Sequence, residues 1–213
     1  MIKVIISDLD GTLTKIDALD FLTAQVCKEQ NKKFTKPKEH KIGEKHLMQR
    51  INKLAGVNVL DIERVLCANK GILLKNNFSQ FIDYIGKNKL DLIIISGNIE
   101  PVVKFYSNLF NASYYFFTEV DILENGQIVG MKKNGIRKNI KIVSDYLINK
   151  QIDWNDIIFI GNDTSDIPFW NSTNNSILFA EHKEILNRHV TFETNGDFLD
   201  LITILESIIK RND

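Results

Sequence analysis

The chain has 213 residues, room for one large domain or one domain with a smaller insertion, and its 44% hydrophobic and 25% charged content is that of a soluble globular protein. Its 27 Lys and Arg balance 27 Asp and Glu, so a formal net charge of zero argues against a broad nucleic-acid surface, and no run approaches the ~20 apolar residues a membrane-spanning helix requires. The only cysteines, Cys27 and Cys67, form no CxxC pattern, and the N-terminus lacks the order of a signal peptide, so a reducing cytoplasm is the expected location.

The first apolar run, "VIISDLDGTLT" over residues 4–14, ends in two aspartates one residue apart, Asp8 and Asp10, followed by Gly11 and Thr12. Two readings compete on this segment alone. Asp10-Gly11 is a hairpin turn signal. Alternatively the strand ends at Asp8 and offers both carboxylates at the carboxyl edge of an open α/β sheet, where such folds bind ligands.

From Asp17 to about Phe78 the spacing is helical: Leu19, Leu22 and Val26 share one face, then Leu47, Ile51 and Leu54 before Gly56, then Ile62, Val65 and Leu66 before Gly71. The lysine-rich stretch 28–46 is broken by glutamates and reads as a solvated face. His40, His46, His182 and His189 show no zinc spacing. "FSQFIDYIGKN" is a helix, "LDLIIIS" a short buried strand, and Pro101 opens a further helix, "PVVKFYSNLF". Asn125-Gly126 marks a hairpin. "IRKNIKIVSDYLIN" reads as helix, "DIIFIG", "SILFA" and "VTFE" as strands, and "DFLDLITILESIIKR" as a closing amphipathic helix. Alternating strand and helix imply a doubly wound α/β parallel sheet, with an all-helical insertion after the first strand.

Three apolar runs end alike: at Asp8, at Ser96-Gly97-Asn98, and at Gly161-Asn162-Asp163 with Asp166 following. If these strands are parallel neighbours, their ends share one crevice. Carboxylates gathered there repel one another unless a cation holds them, and Mg²⁺ prefers hard oxygen ligands. An ionised aspartate in such a site can take a phosphoryl group, while a second carboxylate protonates the leaving oxygen and later deprotonates water. Ser96 and a lysine would supply donors and positive charge for the phosphoryl oxygens.

"DLDGTLT", "SGN", a helical lysine and "GNDTSD", in that order, resemble the four motifs of the haloacid-dehalogenase-like hydrolases, from Ile2 to about Ala180. The resemblance implies a Rossmann-like core over residues 1–14 and 78–213, with a small helical cap over 15–77. It implies Asp8 as nucleophile and Asp10 as general acid/base. Gly11, Thr12, Ser96, Gly97 and a lysine would lie around the phosphate. Mg²⁺ would be held by Asp8, Asp10 through its carbonyl, and Asn162 or Asp163, with Asp166 orienting them. Lys132, Lys133, Lys138 and Lys141 all fall in the right interval; Lys138 is preferred because it begins the helix ahead of "DIIFIGN". Asn162 departs from the aspartate usual in the family, so either it ligates through its amide oxygen or Asp163 moves in; helix capping is the plainer reading of Asp163 and Asp166.

Within the superfamily the chain is most similar to phosphoserine phosphatases. Asp17 stands where those enzymes carry a glutamate for the substrate's amino group, and Arg50 where they carry an arginine for its carboxylate. The plainer readings are a helix N-cap and an exposed helix position. The expected activity is Mg²⁺-dependent hydrolysis of a small phosphomonoester, possible alternatives being phosphotransfer from the same intermediate or phospholigand binding without catalysis. A monomer or homodimer, with no nucleic-acid or membrane partner, is the expected state.

Overall fold

The computed structural model describes residues 2–29, 44–180 and 189–212. Most of the lysine-rich segment, His40, His182 and the side chain of Cys27 lie outside the described residues. Cys67 is exposed.

Among the described residues the strands are β1 (Val4–Asp8), β2 (Asp91–Ile99), β3 (Tyr114–Ile122), β4 (Ile128–Ile136), β5 (Ile157–Gly161), β6 (Asn175–Phe179) and β7 (Phe192–Thr194). The helices are α1 (Ala18–Glu29), α2 (Glu44–Asn52), α3 (Val59–Leu73), α4 (Phe78–Lys87), α5 (Glu100–Leu109), α6 (Ile140–Asn149), α7 (Ile167–Trp170) and α8 (Phe198–Asn212). One sheet runs β4-β3-β2-β1-β5-β6-β7, parallel throughout except for the β3–β4 hairpin that Asn125-Gly126 announced.

Burial on both faces explains the nearly continuous apolar strands. Along β1, Ile5 packs with Leu92, Ile94, Ile158 and Ile160 against α5 and α8, while Val4 and Ile6 join Ile93, Ile95 and Phe159 against α6 and α7. Each fully buried isoleucine is worth about 1.5–3 kcal/mol in transfer free energy. This two-sided burial fixes register, since a one-residue slip would exchange the faces of β1.

β1 lies between β2 and β5, and the connections diverge from it in opposite directions, which makes its carboxyl end the switch point of the sheet. The chain does not reverse into an antiparallel partner at Gly11. Asp10 (φ −76°, ψ 118°) and Gly11 (φ 80°, ψ −11°) make a type II turn over residues 9–12, closed two residues further on by the Thr14 N–H donating to Leu9 O at 3.1 Å. A two-residue type I′ hairpin needs positive φ at both central positions, which Asp10 lacks.

Some boundaries differ from the sequence reading. β2 does not stop at Ser96 but runs on to Ile99, with an irregularity in its pairing with β3 between Ile95 and Ile99. Such a bulge re-aims side chains at a sheet edge. β3 begins at Tyr114, inside an aromatic run that had no assigned element. Lys138 does not begin the helix: it lies in the link after β4, and the Asn139 side chain caps α6 by accepting the Lys141 N–H. α1 to α3 follow β1, and the stretches of chain just before and just after them meet at the Thr14–Leu74 bridge. Among the described residues no helix is long and apolar enough to cross a membrane.

Candidate active site

The carboxyl ends of β1, β2 and β5 and the link after β4 bring their polar side chains into one cluster. Asp8, the last residue of β1, is buried. Its Oδ1 lies 2.6 Å from Lys138 Nζ, and its Oδ2 accepts the Thr12 hydroxyl at 3.2 Å. Lys138 Nζ also lies 2.9 Å from Asp166 Oδ1, so one buried ammonium bridges two carboxylates. Burial pushes Asp8 well above the usual carboxylate range; Lys138 opposes that, and Asp166 and Asp163 add to it. Asp166 is raised for the same first reason, burial, with Lys138 again opposing. For Lys138 burial works against the charge, but Asp166, Asp8 and Asp163 outweigh it and the group is raised, held protonated.

Asp10 turns the other way, toward β2. Its Oδ1 accepts the Ala18 N–H at 2.9 Å and its Oδ2 the Ser96 hydroxyl at 3.0 Å, while the Asn98 side-chain amide donates to it at 3.2 Å. Burial, with the Asp17 charge adding to it, pushes Asp10 up to about 6, against the hydrogen bonds from Ala18, Asn98 and Ser96. A carboxyl group poised there can both give and take a proton near neutrality. Ser96 accepts the Asn98 N–H at 2.9 Å as well, so its hydroxyl ties the bulge of β2 to Asp10. Gly97 faces its neighbour strand, its carbonyl accepting the Thr118 hydroxyl at 2.7 Å, and the Gly11 N–H donates to Thr14 Oγ1 at 3.3 Å.

After β5, Asp166 Oδ2 accepts the N–H groups of Asn162 (2.8 Å) and Asp163 (3.2 Å), and Asp163 Oδ1 accepts the Ser165 N–H at 2.7 Å. This is a reciprocal capping box on a short turn, so the capping reading of these two residues holds, and Asp166 adds the ion pair to Lys138. The Asn162 side-chain amide reaches across to β1 and donates to the Asp10 main-chain carbonyl at 3.1 Å.

Asp17 and Arg50, from two parts of the helical segment, meet each other. Arg50 Nη2 lies 2.6 Å from both oxygens of Asp17, and its Nε lies 3.1 Å from Asp20. Asp17 also caps α1, accepting the N–H groups of Leu19 (2.9 Å) and Asp20 (3.0 Å). Capping and the ion pair use the same carboxylate.

Two residues of the site had no role in the sequence reading. Asn98 stood in the quoted strand end, and its amide was available to any neighbouring carboxylate. Tyr106, on α5, is fully buried, and its hydroxyl has no hydrogen-bond partner among the described residues; burial, and then the Asp10 charge, raise it. Nothing in the sequence distinguishes it from a core aromatic.

The oxygen donors that the resemblance offers to Mg²⁺ are the Asp8 carboxylate, the Asp10 carbonyl and either the Asn162 amide or the Asp163 carboxylate, the last of which accepts the Ser165 N–H through Oδ1. Among the described residues no group of three or more His, Cys, Asp or Glu side chains is arranged to hold a metal. Mg²⁺ does not demand one, because it commonly uses one or two carboxylates and keeps several waters. Two oxygens side by side on an octahedral Mg²⁺, each at about 2.1 Å, stand about 3.0 Å apart. The Asn162 amide nitrogen and the Asp10 carbonyl oxygen are 3.1 Å apart, so the amide, turned to present its oxygen, fits the ion.

No protein-family model matches the sequence, and no curated protein matches it. Solved structures do. A HAD family hydrolase from Salmonella enterica subsp. enterica serovar Typhi superposes with a TM-score of 0.73 at 16% identity, over 95% of this chain and 70% of that one. A substrate-bound phosphoserine phosphatase gives 0.72 at 18%, over 95% and 98%. A phosphoserine phosphohydrolase-like protein from Francisella tularensis subsp. tularensis gives 0.73 at 15%, over 95% and 99%. At such identities the likeness speaks for architecture alone: this chain has the α/β fold that these three proteins share.

Proposed function

We propose that the protein is a Mg²⁺-dependent phosphomonoester hydrolase that works through an aspartyl-phosphate on Asp8. The observation that carries this reading is the convergence of Asp8, Asp10, Ser96, Lys138 and Asn162, from separate strand ends, into one buried network. The segment 15–77 acts as the cap over it.

An Asp8 carboxylate oxygen attacks phosphorus, the bond from phosphorus to the ester oxygen breaks, and that oxygen takes the proton of the Asp10 carboxyl group. Asp10, now ionised, removes a proton from water; the water oxygen attacks phosphorus, the bond to Asp8 breaks, and orthophosphate leaves with Asp8 regenerated. Lys138 holds Asp8 in place and sets positive charge beside the transferred group. Ser96, Gly97, Gly11 and Thr12 surround the phosphoryl oxygens. Bound Mg²⁺ would screen carboxylates and phosphate from one another and neutralise developing charge.

The Asp17–Arg50 pair suits a substrate with both charges, such as phosphoserine or a similar amino-acid phosphate. An α-ammonium would take Asp17 and an α-carboxylate Arg50, replacing the internal pair without leaving either charge bare.

A panel of metabolite phosphates, assayed with Mg²⁺ and with EDTA on wild type and Asp8→Asn, tests the reading. Metal-dependent turnover lost in Asp8→Asn supports it; faster transfer to an added alcohol than to water would make the protein a phosphotransferase. Asn162 favours one second reading, a phospholigand-binding protein. Tight binding of a phosphate analogue with no turnover on any substrate would select it.

A further inference from the structure

We propose that the Asn162 amide is a two-position ligand: its NH₂ closes on the Asp10 carbonyl when no cation is bound, and its oxygen turns to a divalent cation when one enters. The inference rests on the reading that this cluster holds Mg²⁺, and it concerns how strongly the ion is held and what the site does without it.

Four observations carry it. The amide nitrogen lies 3.1 Å from the Asp10 carbonyl oxygen, a direct hydrogen bond between two groups on the face assigned to the ion. Asn162 is 8% exposed and its main-chain N–H is pinned to Asp166 Oδ2 at 2.8 Å, so the backbone is fixed and exchanging the two ends of the amide needs only a turn about its terminal torsion. That terminal torsion is two-fold and soft, and half a turn exchanges oxygen for nitrogen in nearly the same place. Gly11 has no side chain at φ +80°, and a Cβ there would overlap the amide nitrogen. The turn after β1 therefore leaves room for this contact.

Charge makes the choice of amide consequential. Asp8 and Asp166 share the buried Lys138, and Asp163 lies close enough to act on all three. A carboxylate at position 162 would face the Asp10 carbonyl oxygen with no proton to offer, adding a negative charge to that group. A cation, or a proton on one of the carboxyl groups, would relieve it. The amide instead satisfies the carbonyl itself, so the cation-free site is stable, and the ion must displace a hydrogen bond to bind a neutral ligand. The chain thereby combines a fold that is stable without the metal with weak metal affinity.

Asn162→Asp and Asn162→Ala, compared with wild type by calorimetric titration with MgCl₂ and by thermal unfolding in EDTA, provide the test. For Asn162→Asp the melting temperature in EDTA falls by about 3–8 °C, Mg²⁺ binds at least about tenfold more tightly, and Mg²⁺ restores the lost stability. A variant that folds only with Mg²⁺ and unfolds on chelation is the same result in stronger form. Asn162→Ala, lacking the amide oxygen, binds Mg²⁺ more weakly than wild type. Equal Mg²⁺ affinity in wild type and Asn162→Ala, an Asn162→Asp protein as stable in EDTA as wild type, or no Mg²⁺ binding by any of the three would overturn the inference. Neither readout uses a substrate, so absence of turnover on every phosphomonoester would defeat the hydrolase reading and leave these results standing.

Discussion

Replacing Lys138 by methionine keeps most of the alkyl stem and removes the charge that two buried carboxylates share. Its Nζ lies 2.6 Å from Asp8 and 2.9 Å from Asp166, and the lysine side chain is 10% exposed. Breaking a buried pair by removing one partner costs about 3–5 kcal/mol. Asp8 and Asp166 would then face each other, and like charges about 5 Å apart repel by about 3 kcal/mol at an effective dielectric constant near 20. The molecule has one escape, which is to protonate one of them. Both carboxyl groups are already raised by burial, with Lys138 opposing, so its loss lifts them further. A group whose pKa is raised by folding contributes stability below its unfolded value and loses it as pH climbs through the folded one. Lys138 itself is raised above an already high value, so its own contribution is constant between pH 5 and 8. The destabilisation by Lys138→Met is therefore about 3–5 kcal/mol at pH 8 and under about 2 kcal/mol at pH 5. Urea unfolding of both proteins in EDTA at the two pH values measures it. Equal losses at both, or a loss below about 1 kcal/mol at pH 8, would refute the shared-ammonium account.

Gly11→Ala introduces a Cβ at φ +80° that overlaps the Asn162 amide, and costs at least about 2 kcal/mol in urea melts. A cost below about 0.5 kcal/mol would mean the turn is built differently. Asp10 is pushed up to about 6 by burial and Asp17, so metal-free wild type loses stability relative to Asp10→Asn as pH rises from about 4 to about 6, by at most about 3 kcal/mol. Parallel stability curves for the two proteins across that window would contradict it. Tyr106→Phe removes a buried hydroxyl that has no partner among the described residues and leaves stability unchanged or raised by up to about 1 kcal/mol. A loss above about 1 kcal/mol would show that the hydroxyl is satisfied.

The opening segment became legible only in company. Asp10-Gly11 is a turn in either reading, and the choice depended on strands far away in sequence: parallel pairing of β1 with β2 and β5 puts Asp8, Ser96 and the Asn162 region at one edge. Apolar runs capped by polar residues carry that signal, because a strand buried on both faces can place polar groups only at its ends. Lys138 meets Asp8 and Asp166 in a geometry the pattern misstated: Asn139, not Lys138, caps α6, and a lysine in the preceding link has the reach to bridge the two carboxylates. The start of β3 was missed because "YYFF" shows no alternation, its aromatic rings being divided between α5 on one side and Tyr146 on the other. Asn162 was recognisable as a departure, but its hydrogen bond to Asp10 O depends on the φ of Gly11, which no residue pattern specifies. The mutual pairing of Asp17 and Arg50 was equally hidden, since it depends on how two helices of the inserted segment pack.

The most direct test of phosphoryl transfer to Asp8 is acid-quenched trapping with a ³²P-labelled phosphomonoester that the protein turns over, followed by peptide mapping of wild type and Asp8→Asn in Mg²⁺. The account predicts acid-stable, hydroxylamine-labile label on the peptide containing Asp8, and neither label nor turnover in Asp8→Asn. Turnover surviving in Asp8→Asn, or label on a different residue, would contradict it.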